Sequence, residues 1–397
     1  MTYIQRFQEK EIQTLLEKRE IIVVTGPRQA GKTTLVQHVL DGHKNAISYT
    51  FDSVSLAQQF TENPDAFYVR YMKPYAIIFF DEIQRIEDSG RILKYLYDTY
   101  HSRIIVSGSF APDIAVQSLQ YLVGRVSIVE VFPLSLHEFL HYKDPNLYSA
   151  IKNGNDTAFV RDIQLLVSEY MIYGGYPRVV LEESHEGKLR VLANIYDTLL
   201  LREVRDLFGL VDTEKLQKFI AAIALNQGNL TEYKMLAKAS GYSFDSVKKF
   251  LALLNQVYVV RTIAPYFSNK LKEIVKAPKV YFIDNGLRNH AVHDFRDHAL
   301  RTDKGNMLEA LTLALLSAPS NTAIHFWRDK AGHEIDFVRL GEGLVPELFE
   351  CKWEYRSISQ ETLDAFTGLH GKAASSRVIT FAYGAAGESL GVWSVDI

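Results

Sequence analysis

The stretch REIIVVTGPRQAGKTTLVQHVL, residues 19–40, predicts an apolar strand, a glycine-rich turn and a helix in direct succession. The turn follows the pattern G-x-x-x-x-G-K-T between Gly26 and Thr33. In such a turn the backbone N–H groups surround a phosphate, Lys32 reaches the β- and γ-phosphates, and Thr33 offers its hydroxyl to Mg²⁺. We therefore predict a site for ATP and Mg²⁺, with Thr33 as a metal ligand and Lys32 as a catalytic residue. The predicted nucleotide-binding residues of the loop are Gly26, Pro27, Arg28, Gln29, Ala30, Gly31, Lys32, Thr33 and Thr34.

A second apolar run, YAIIFFDEIQRI at residues 75–86, predicts a strand that ends in two acidic residues. We expect Asp81 to hold Mg²⁺ through water, and Glu82 to act in catalysis by orienting or deprotonating the attacking water. A third strand, in RIIVSGSF at residues 103–110, ends in Ser107 and Ser109, one of which is expected to sense the γ-phosphate. The alternative is that Ser-Gly-Ser forms an ordinary turn.

Length and composition indicate a globular protein of two to four domains, because the chain has 397 residues, of which 47% are hydrophobic and 23% charged. Neither a signal peptide nor an uncharged run of membrane-spanning length is present in the sequence, so we expect a cytoplasmic protein without a membrane partner. The single cysteine, Cys351, excludes an internal disulfide. Although the net charge is −3, residues 234–279 contain nine Lys or Arg and two acidic residues. Such a segment is typical either of a phosphate-binding surface or of a solvated charge run.

Five segments in order, TGPRQAGKTT, FFDEIQ, VSGS, LVGRVSIVEVFPLSLHEF and YGGYP, resemble a family of prokaryotic AAA-type P-loop ATPases that carry a C-terminal domain of unknown function. The resemblance covers nearly the whole chain. It implies that Arg125, in LVGRV, is an arginine finger that stabilises transition-state charge on the nucleotide of a neighbouring subunit in a homo-oligomer. The alternative is that Arg125 forms a surface salt bridge.

The middle of the chain is predicted to be helical. Residues 151–210, interrupted by YGGYPRVV, are expected to form a lid over the nucleotide. Residues 211–268 contain three helical patterns followed by the strand-like YVVRTIAPY, which is typical of a winged helix-turn-helix. In that arrangement Ser243, Lys248 and Lys249 face DNA, although winged helices also serve as protein-docking modules.

Acidic residues recur on apolar elements of the last segment: Glu309 on the helix NMLEALTLALLSA, Asp336 on the strand of EIDFVRL, and Glu350 on ELFECKW. Counting from a turn near Glu342 places Asp336 opposite Leu348, with Glu350 diagonal to it on the same face. With Lys352, this set resembles the PD-(D/E)XK nuclease core. The resemblance implies that Glu309, Asp336 and Glu350 bind Mg²⁺ and that the catalytic Lys352 steadies the nucleophile or the phosphate. The alternative is a cross-strand ion-pair network at a sheet edge.

The predicted fold is therefore α/β: an AAA-type P-loop ATPase core at 1–150, a helical lid at 151–210, a winged-helix module at 211–268 and a PD-(D/E)XK-like α/β domain at 269–397. The predicted function is an ATP-hydrolysing protein that acts on DNA and carries a Mg²⁺-dependent nuclease domain. The alternative is a nucleotide-switched protein-interaction module whose nuclease-like domain is inactive.

Overall fold

A computed structural model describes residues 2–18, 20–108, 122, 124–204, 209, 212–267, 273, 276–317, 323–341, 345–381 and 389–395. The chain divides into two compact units. The first comprises Met1–Leu134 with Gln256–Tyr258, and the second comprises Ser135–Asn255 with Val259–Ile397. The predicted division into four segments is finer than this and stays a prediction.

The first unit contains a sheet of five parallel strands in the order β2-β3-β4-β1-β5. The strands are β1 Ile21–Thr25, β2 Ala46–Thr50, β3 Ile77–Asp81, β4 Arg103–Ser107 and β5 Val126–Glu130. The three central strands are buried over most of their length, as is usual when both faces of a parallel sheet are covered. This confirms the predicted α/β class with the parallel sheet core of a P-loop ATPase.

Helices supply the cores on the two faces of this sheet. They are α1 Gln8–Leu16, α2 Lys32–Asp41, α3 Val54–Glu62 and α4 Ser89–Tyr100, with short helical segments at Pro64–Phe67, Tyr68–Met72 and Ile83–Arg85. Because side chains alternate along β1, Ile22 and Val24 enter the core that includes α2, whereas Ile21 and Val23 enter the core that includes α3 and α4. The loop after β1 therefore starts from a strand that is packed on both faces.

The second unit is mainly helical in its first half. Its helices are α5 Leu136–Lys143, α6 Pro145–Lys152, α7 Val160–Tyr173, α8 His185–Tyr196, α9 Thr213–Leu225, α10 Tyr233–Ser240, α11 Phe244–Gln256, α12 Asn285–Ala291, α13 Lys304–Leu316 and α14 Gln360–His370. Shorter helical segments are Asp156–Phe159, Pro177–Val180, Asp197–Val204, His298–Leu300 and Val392–Ser394.

A two-stranded antiparallel sheet follows the three helices α9, α10 and α11. Its strands are β6 Val260–Ile263 and β7 Lys279–Phe282, with Val260 opposite Phe282. Leu230, between α9 and α10, forms a further antiparallel bridge to Lys279. Strand β7 is therefore paired on one side with β6 and on the other with the α9–α10 connection.

The YGGYP segment packs against the end of β7. Gly175 N–H donates a 2.7 Å hydrogen bond to Asp284, and the other oxygen of that carboxylate accepts from Leu287 N–H at the start of α12. Gly174 has φ +76°, and a Cβ placed there would lie 2.2 Å from Asp284 Oδ1. Glycine at 174 is thus required both by the backbone conformation and by the close approach of a buried carboxylate.

The second sheet has the order β12-β11-β10-β9-β8. Its strands are β8 Ile324–Arg328, β9 Glu334–Leu340, β10 Pro346–Lys352, β11 Ser375–Thr380 and β12 Ser389–Gly391. Strands β8, β9 and β10 are successively antiparallel, while β11 is parallel to β10 and to β12. Because β10 is the central strand and α13 packs against it, the alternative is wrong in placing Glu350 and Lys352 on an edge strand, although β9 pairs with β10 only as far as Phe349.

The predicted register between β9 and β10 is also wrong. Leu348 pairs with Val338, two residues further along β9 than the expected Asp336. The cause is the connection: pairing begins at Leu340 with Pro346, so the loop between the strands is longer than the predicted turn, whose centre lies outside the described residues. A shift of two residues keeps side chains on the same face, so Asp336 and Glu350 remain neighbours.

Candidate functional site

The predicted phosphate-binding loop, residues 26–33, runs from the end of β1 into the first turn of α2. Gly26 has φ +140°, and a Cβ at this position would lie 2.1 Å from the backbone oxygen of Val131. Gly31, at the start of α2, has φ +94°. Both glycines of the motif are therefore required by backbone geometry, and the first turn of α2 presents its N–H groups beside the loop.

The Lys32 side chain folds back onto the loop. Its ammonium donates to the backbone oxygens of Gly26 at 2.9 Å and Pro27 at 2.8 Å, and the residue is buried. Arg28 and Gln29 are half-buried, and Thr34 is exposed. Gln29 has φ +61°, which a non-glycine residue adopts only at a local cost. The loop is thus a strained, closed turn with a lysine ammonium in its interior.

Three polar side chains meet at the carboxyl edge of the first sheet. Thr33 Oγ1 donates to one oxygen of Asp81 at 2.8 Å, and the Ser107 hydroxyl donates to the other. Sheet order explains the meeting, because β4 lies between β1 and β3 and ends at Ser107. Hydroxyl and carboxylate oxygens are the hard donors that Mg²⁺ prefers, so the residues present fit this ion.

Glu82 follows β3 directly and has φ +57°. Its carboxylate accepts a hydrogen bond from Gln84 Nε2. The sequence did not indicate that Gln84 donates to Glu82, although Gln84 belongs to the segment FFDEIQ. The predicted Ser109 lies outside the described residues.

Arg125 lies at the edge of the sheet opposite the phosphate-binding loop. Its backbone oxygen accepts from Ile21 N–H at the start of β1, whereas the loop follows the end of β1. Its guanidinium forms a 2.8 Å salt bridge with Asp98, and both side chains are partly exposed. Within one chain, β1 separates Arg125 from the loop by its full length of five residues.

The residues predicted to face DNA lie around the start of α11, and all three are exposed. Ser243 Oγ accepts from Ser246 N–H at 3.1 Å and so caps the first turn of the helix. Lys248 Nζ lies 4.6 Å from the ring centroid of Phe244 and 5.4 Å from that of Tyr233. Lysines 248 and 249 are thus accessible, while the Ser243 hydroxyl already has a structural partner.

The acidic residues predicted in the last segment come together in the second unit. Asp336 N–H donates to Glu350 Oε2 at 3.3 Å, and Cys351 N–H donates to Asp336 Oδ2 at 2.8 Å. Lys352 Nζ donates to Glu350 Oε1 at 2.6 Å. The side chains of Asp336 and Glu350 are only 12% and 11% exposed, so these contacts form largely away from water.

Lys279 and Tyr281, both on β7, complete this carboxylate cluster, which comprises Glu309, Glu334, Asp336 and Glu350. Lys279 Nζ lies 2.6 Å from Glu334, 3.9 Å from Glu309 and 4.0 Å from Asp336. Tyr281 Oη donates to Glu309 at 2.7 Å. The sequence indicated Lys279 only as part of a basic surface segment, yet it is buried. Its position in the apolar strand KVYF indicates burial, but not which groups surround it.

The pKa values of three carboxyl groups in the cluster are raised above their ordinary values. Burial and the neighbouring Asp336 raise the pKa of Glu309 to about 8 and that of Glu350 to about 7. Burial also raises the pKa of Asp336, against the opposing effect of Lys279. Among the described residues, no group of three or more His, Cys, Asp and Glu side chains is arranged to hold a metal ion. The predicted ligand set of Glu309, Asp336 and Glu350 therefore stays a prediction.

Two family models match the chain. Residues 18–140 match an AAA domain, and residues 164–312 match a domain of unknown function, DUF8612. Together with the parallel sheet and the loop geometry, the first match supports a P-loop, nucleotide-binding domain of the AAA type in the amino-terminal part of the chain. No helix among the described residues is long and apolar enough to cross a membrane.

The chain is also similar to individual proteins. It is 27% identical over 306 residues to an uncharacterized protein of Haemophilus influenzae, covering 72% of this chain and 73% of the relative. An uncharacterized protein of Mycobacterium tuberculosis is 27% identical over 339 residues, or 81% of this chain and 68% of the relative. Among solved structures, a Walker-type ATPase of Pyrococcus abyssi has a TM-score of 0.43 at 15% identity, covering 73% and 96% of the two chains. The ORC2 protein of Aeropyrum pernix has a TM-score of 0.39 at 10% identity, covering 66% and 89%.

Proposed function

We propose that this protein binds and hydrolyses ATP in its first unit and uses the nucleotide cycle to act on DNA through its second. The observation that carries the proposal is the meeting of Thr33, Asp81 and Ser107 beside a strained glycine loop that holds Lys32 in its interior. A nucleotide needs this combination, because phosphate oxygens require N–H and ammonium donors while the accompanying cation requires oxygen ligands.

Each residue of the loop region has a distinct role in this proposal. Lys32 exchanges its bonds to the Gly26 and Pro27 carbonyls for the β- and γ-phosphates, so that one ammonium serves both states of the loop. Thr33 and Asp81 would hold Mg²⁺, which when bound neutralises charge on the phosphates. Ser107 fixes the orientation of the Asp81 carboxylate.

Glu82 is the residue placed to act on the attacking water. It follows Asp81 directly, and its hydrogen bond from Gln84 orients the carboxylate. A positioned carboxylate can accept the proton of the water as the new bond to phosphorus forms. Arg125 has no such role within its own chain. In the proposal it acts on the nucleotide of a neighbouring copy of the chain, after leaving its salt bridge with Asp98.

The proposed contact with DNA uses helices α9, α10 and α11 with the β6–β7 pair, in a winged-helix arrangement. The element order, the bridge from Leu230 to β7 and the exposed Lys248 and Lys249 support it. The alternative, a nucleotide-switched module that docks a protein, is supported by the exposed Phe244 beside Lys248, which an apolar partner would cover.

A nuclease-like role is proposed for the last part of the chain, with Asp336, Glu350 and Glu309 as the cation ligands and Lys352 as the residue that steadies the nucleophile. Support comes from their placement. Asp336 and Glu350 lie on the neighbouring strands β9 and β10 and are joined by a hydrogen bond. Glu309 lies on α13, the helix that packs against β10. In the alternative function this domain is inactive and serves as a scaffold.

Hydrolysis is tested with purified full-length protein, ATP and Mg²⁺. Lys32→Ala is expected to weaken nucleotide binding, whereas Glu82→Gln is expected to bind ATP normally and to turn it over about 10² to 10⁴ times more slowly. Lys44→Ala, an exposed lysine shortly after α2, is the matched control and is expected to behave as the wild type. Undiminished nucleotide binding by Lys32→Ala would remove the loop assignment. Equal turnover by Glu82→Gln would remove Glu82 from the mechanism.

A further inference from the structure

Strand β7 contacts one set of residues through a backbone edge and another through the side chains of one face. The backbone of Val280 and Phe282 bonds to the end of α9 and its following turn, through Gly228 N–H at 3.1 Å and Gln227 Oε1 at 2.9 Å. The alternate residues, Lys279 and Tyr281, direct their side chains to the carboxylate cluster. Strand β7 therefore contacts both the α9–α10 connection and the carboxylate cluster.

The Lys279 ammonium is enclosed by the cluster. The side chain is 3% exposed, and its Nζ lies within 4.0 Å of carboxylate oxygens from Glu309, Glu334 and Asp336. The ring of Phe326 covers it, with its centroid 5.4 Å from Nζ. A buried ammonium needs anionic partners, and buried carboxylates need a cation, so each group supplies what the other lacks.

We propose that Lys279 is the resident cation of this cluster and that its ammonium weakens the binding of a divalent ion there. This inference rests on the proposed cation site of the nuclease-like domain and deepens it by assigning the residue that limits the ion affinity of that site. Oε2 of Glu309 and Oδ1 of Asp336 lie 3.9 and 4.0 Å from Nζ. A divalent ion within ligand distance of them would therefore lie against a like charge in a poorly hydrated space, which opposes binding.

Lys352 is not the resident cation of the cluster. Its side chain is 37% exposed, and its ammonium contacts Glu350 alone among the carboxylates of the cluster within salt-bridge distance. Water and a change of rotamer allow it to leave when an ion binds. The Lys279 side chain is far less free to leave, because it is 3% exposed and is enclosed by three carboxylates and the Phe326 ring.

The test is a calorimetric titration of nucleotide-free full-length protein with Mn²⁺. Every protein in the series also carries Asp81→Asn, which removes the proposed ion site of the first unit. Lys279→Met keeps an unbranched side chain that is one heavy atom shorter and removes its charge. It is expected to bind Mn²⁺ at least about tenfold more tightly than the protein with Lys279, because a nearby like charge is lost. Lys279→Arg and the exposed Lys276→Met are matched controls and are expected to show no gain.

A second variant protects the test against misfolding. Lys279→Met combined with Glu334→Gln removes one carboxylate together with the ammonium, so less unpaired charge remains buried, and it is expected to show the same gain. Asp336→Asn in the Lys279→Met protein is expected to abolish the gain. Unchanged Mn²⁺ affinity in both Lys279→Met proteins, or a gain that persists with Asp336→Asn, would overturn the proposal. If the gain occurs and depends on Asp336 while no variant cleaves DNA, the nuclease proposal fails and the role of Lys279 stands.

Discussion

Replacing Gly174 by alanine is expected to destabilise the second unit by several kcal/mol. The backbone there has φ +76° and ψ −171°, a region that only glycine populates readily and that costs other residues on the order of 1–3 kcal/mol. The new methyl group would also displace the Asp284 carboxylate, whose oxygens would lie 2.2 and 2.3 Å from it. Losing the Gly175 hydrogen bond to this buried acceptor adds roughly 1.5–3 kcal/mol. The expected total is about 2.5–6 kcal/mol.

Gly241 provides a matched control in the same unit. Its φ is +75°, but its ψ of 14° is the ordinary left-handed conformation, and a Cβ would lie no closer than 3.6 Å to Lys215. Gly241→Ala is therefore expected to cost only about 1–2 kcal/mol. Urea unfolding followed by circular dichroism measures both variants, and a double-mutant cycle with Asp284→Ala isolates the contact between Gly174 and the carboxylate. Equal losses for Gly174→Ala and Gly241→Ala would refute the reasoning, as would a Gly174→Ala cost that Asp284→Ala leaves unchanged.

Three further outcomes are expected. Burial raises the pKa of Asp284 from 3.8 to about 6, so the folded protein holds this proton more tightly than the unfolded chain and loses stability as pH rises from 4 to 6. Asp284→Asn should lessen that loss by roughly 3 kcal/mol in unfolding measured across this range, and an unaltered pH profile would contradict the assignment. Replacing Lys248 and Lys249 by Glu should weaken binding of labelled duplex at every sequence and flatten its dependence on salt, whereas unchanged binding favours a protein partner. In a cleavage assay with Mn²⁺, Lys352→Ala should abolish cutting and retain the ion, while Asp336→Ala should lose both; cutting that survives either change would remove these residues from the site.

Contiguous features were predictable from the sequence, and features that depend on distant packing were not. The glycine-rich loop is encoded within ten residues, so its spacing alone predicts the turn between β1 and α2 in which Gly26 and Gly31 adopt positive φ. Asp81 and Ser107 end two apolar runs, and parallel strands bring such ends to one edge. Lys279 carries no comparable local signal, because nothing within β7 indicates that carboxylates 30 to 57 residues later surround it. The β9–β10 register failed for a different reason, since a longer loop changes the pairing without changing either strand's own pattern.

The YGGYP segment illustrates the same limit. Its glycines predicted a break in helical periodicity, and that is where α7 ends. Glycine is also needed there because Asp284, 110 residues later, lies close to Gly174. This contact exists only when both elements are folded. A glycine pair in a sequence reports that a side chain is excluded, but it does not identify the group that excludes it.

Strand β7 also determines where this protein can be divided for separate expression. A cut at residue 268 leaves β6 on one fragment and β7 on the other, so each fragment exposes the hydrogen-bonding edge of an orphaned strand. Exposed edges of this kind recruit strands from other molecules, and the expected result is insoluble material from both halves. Fragments that start at Ser135, where the second unit begins, keep both strands, the α9–α10 connection and the Gly175 contact with Asp284 together, and they are the appropriate material for crystallisation and for nuclear magnetic resonance.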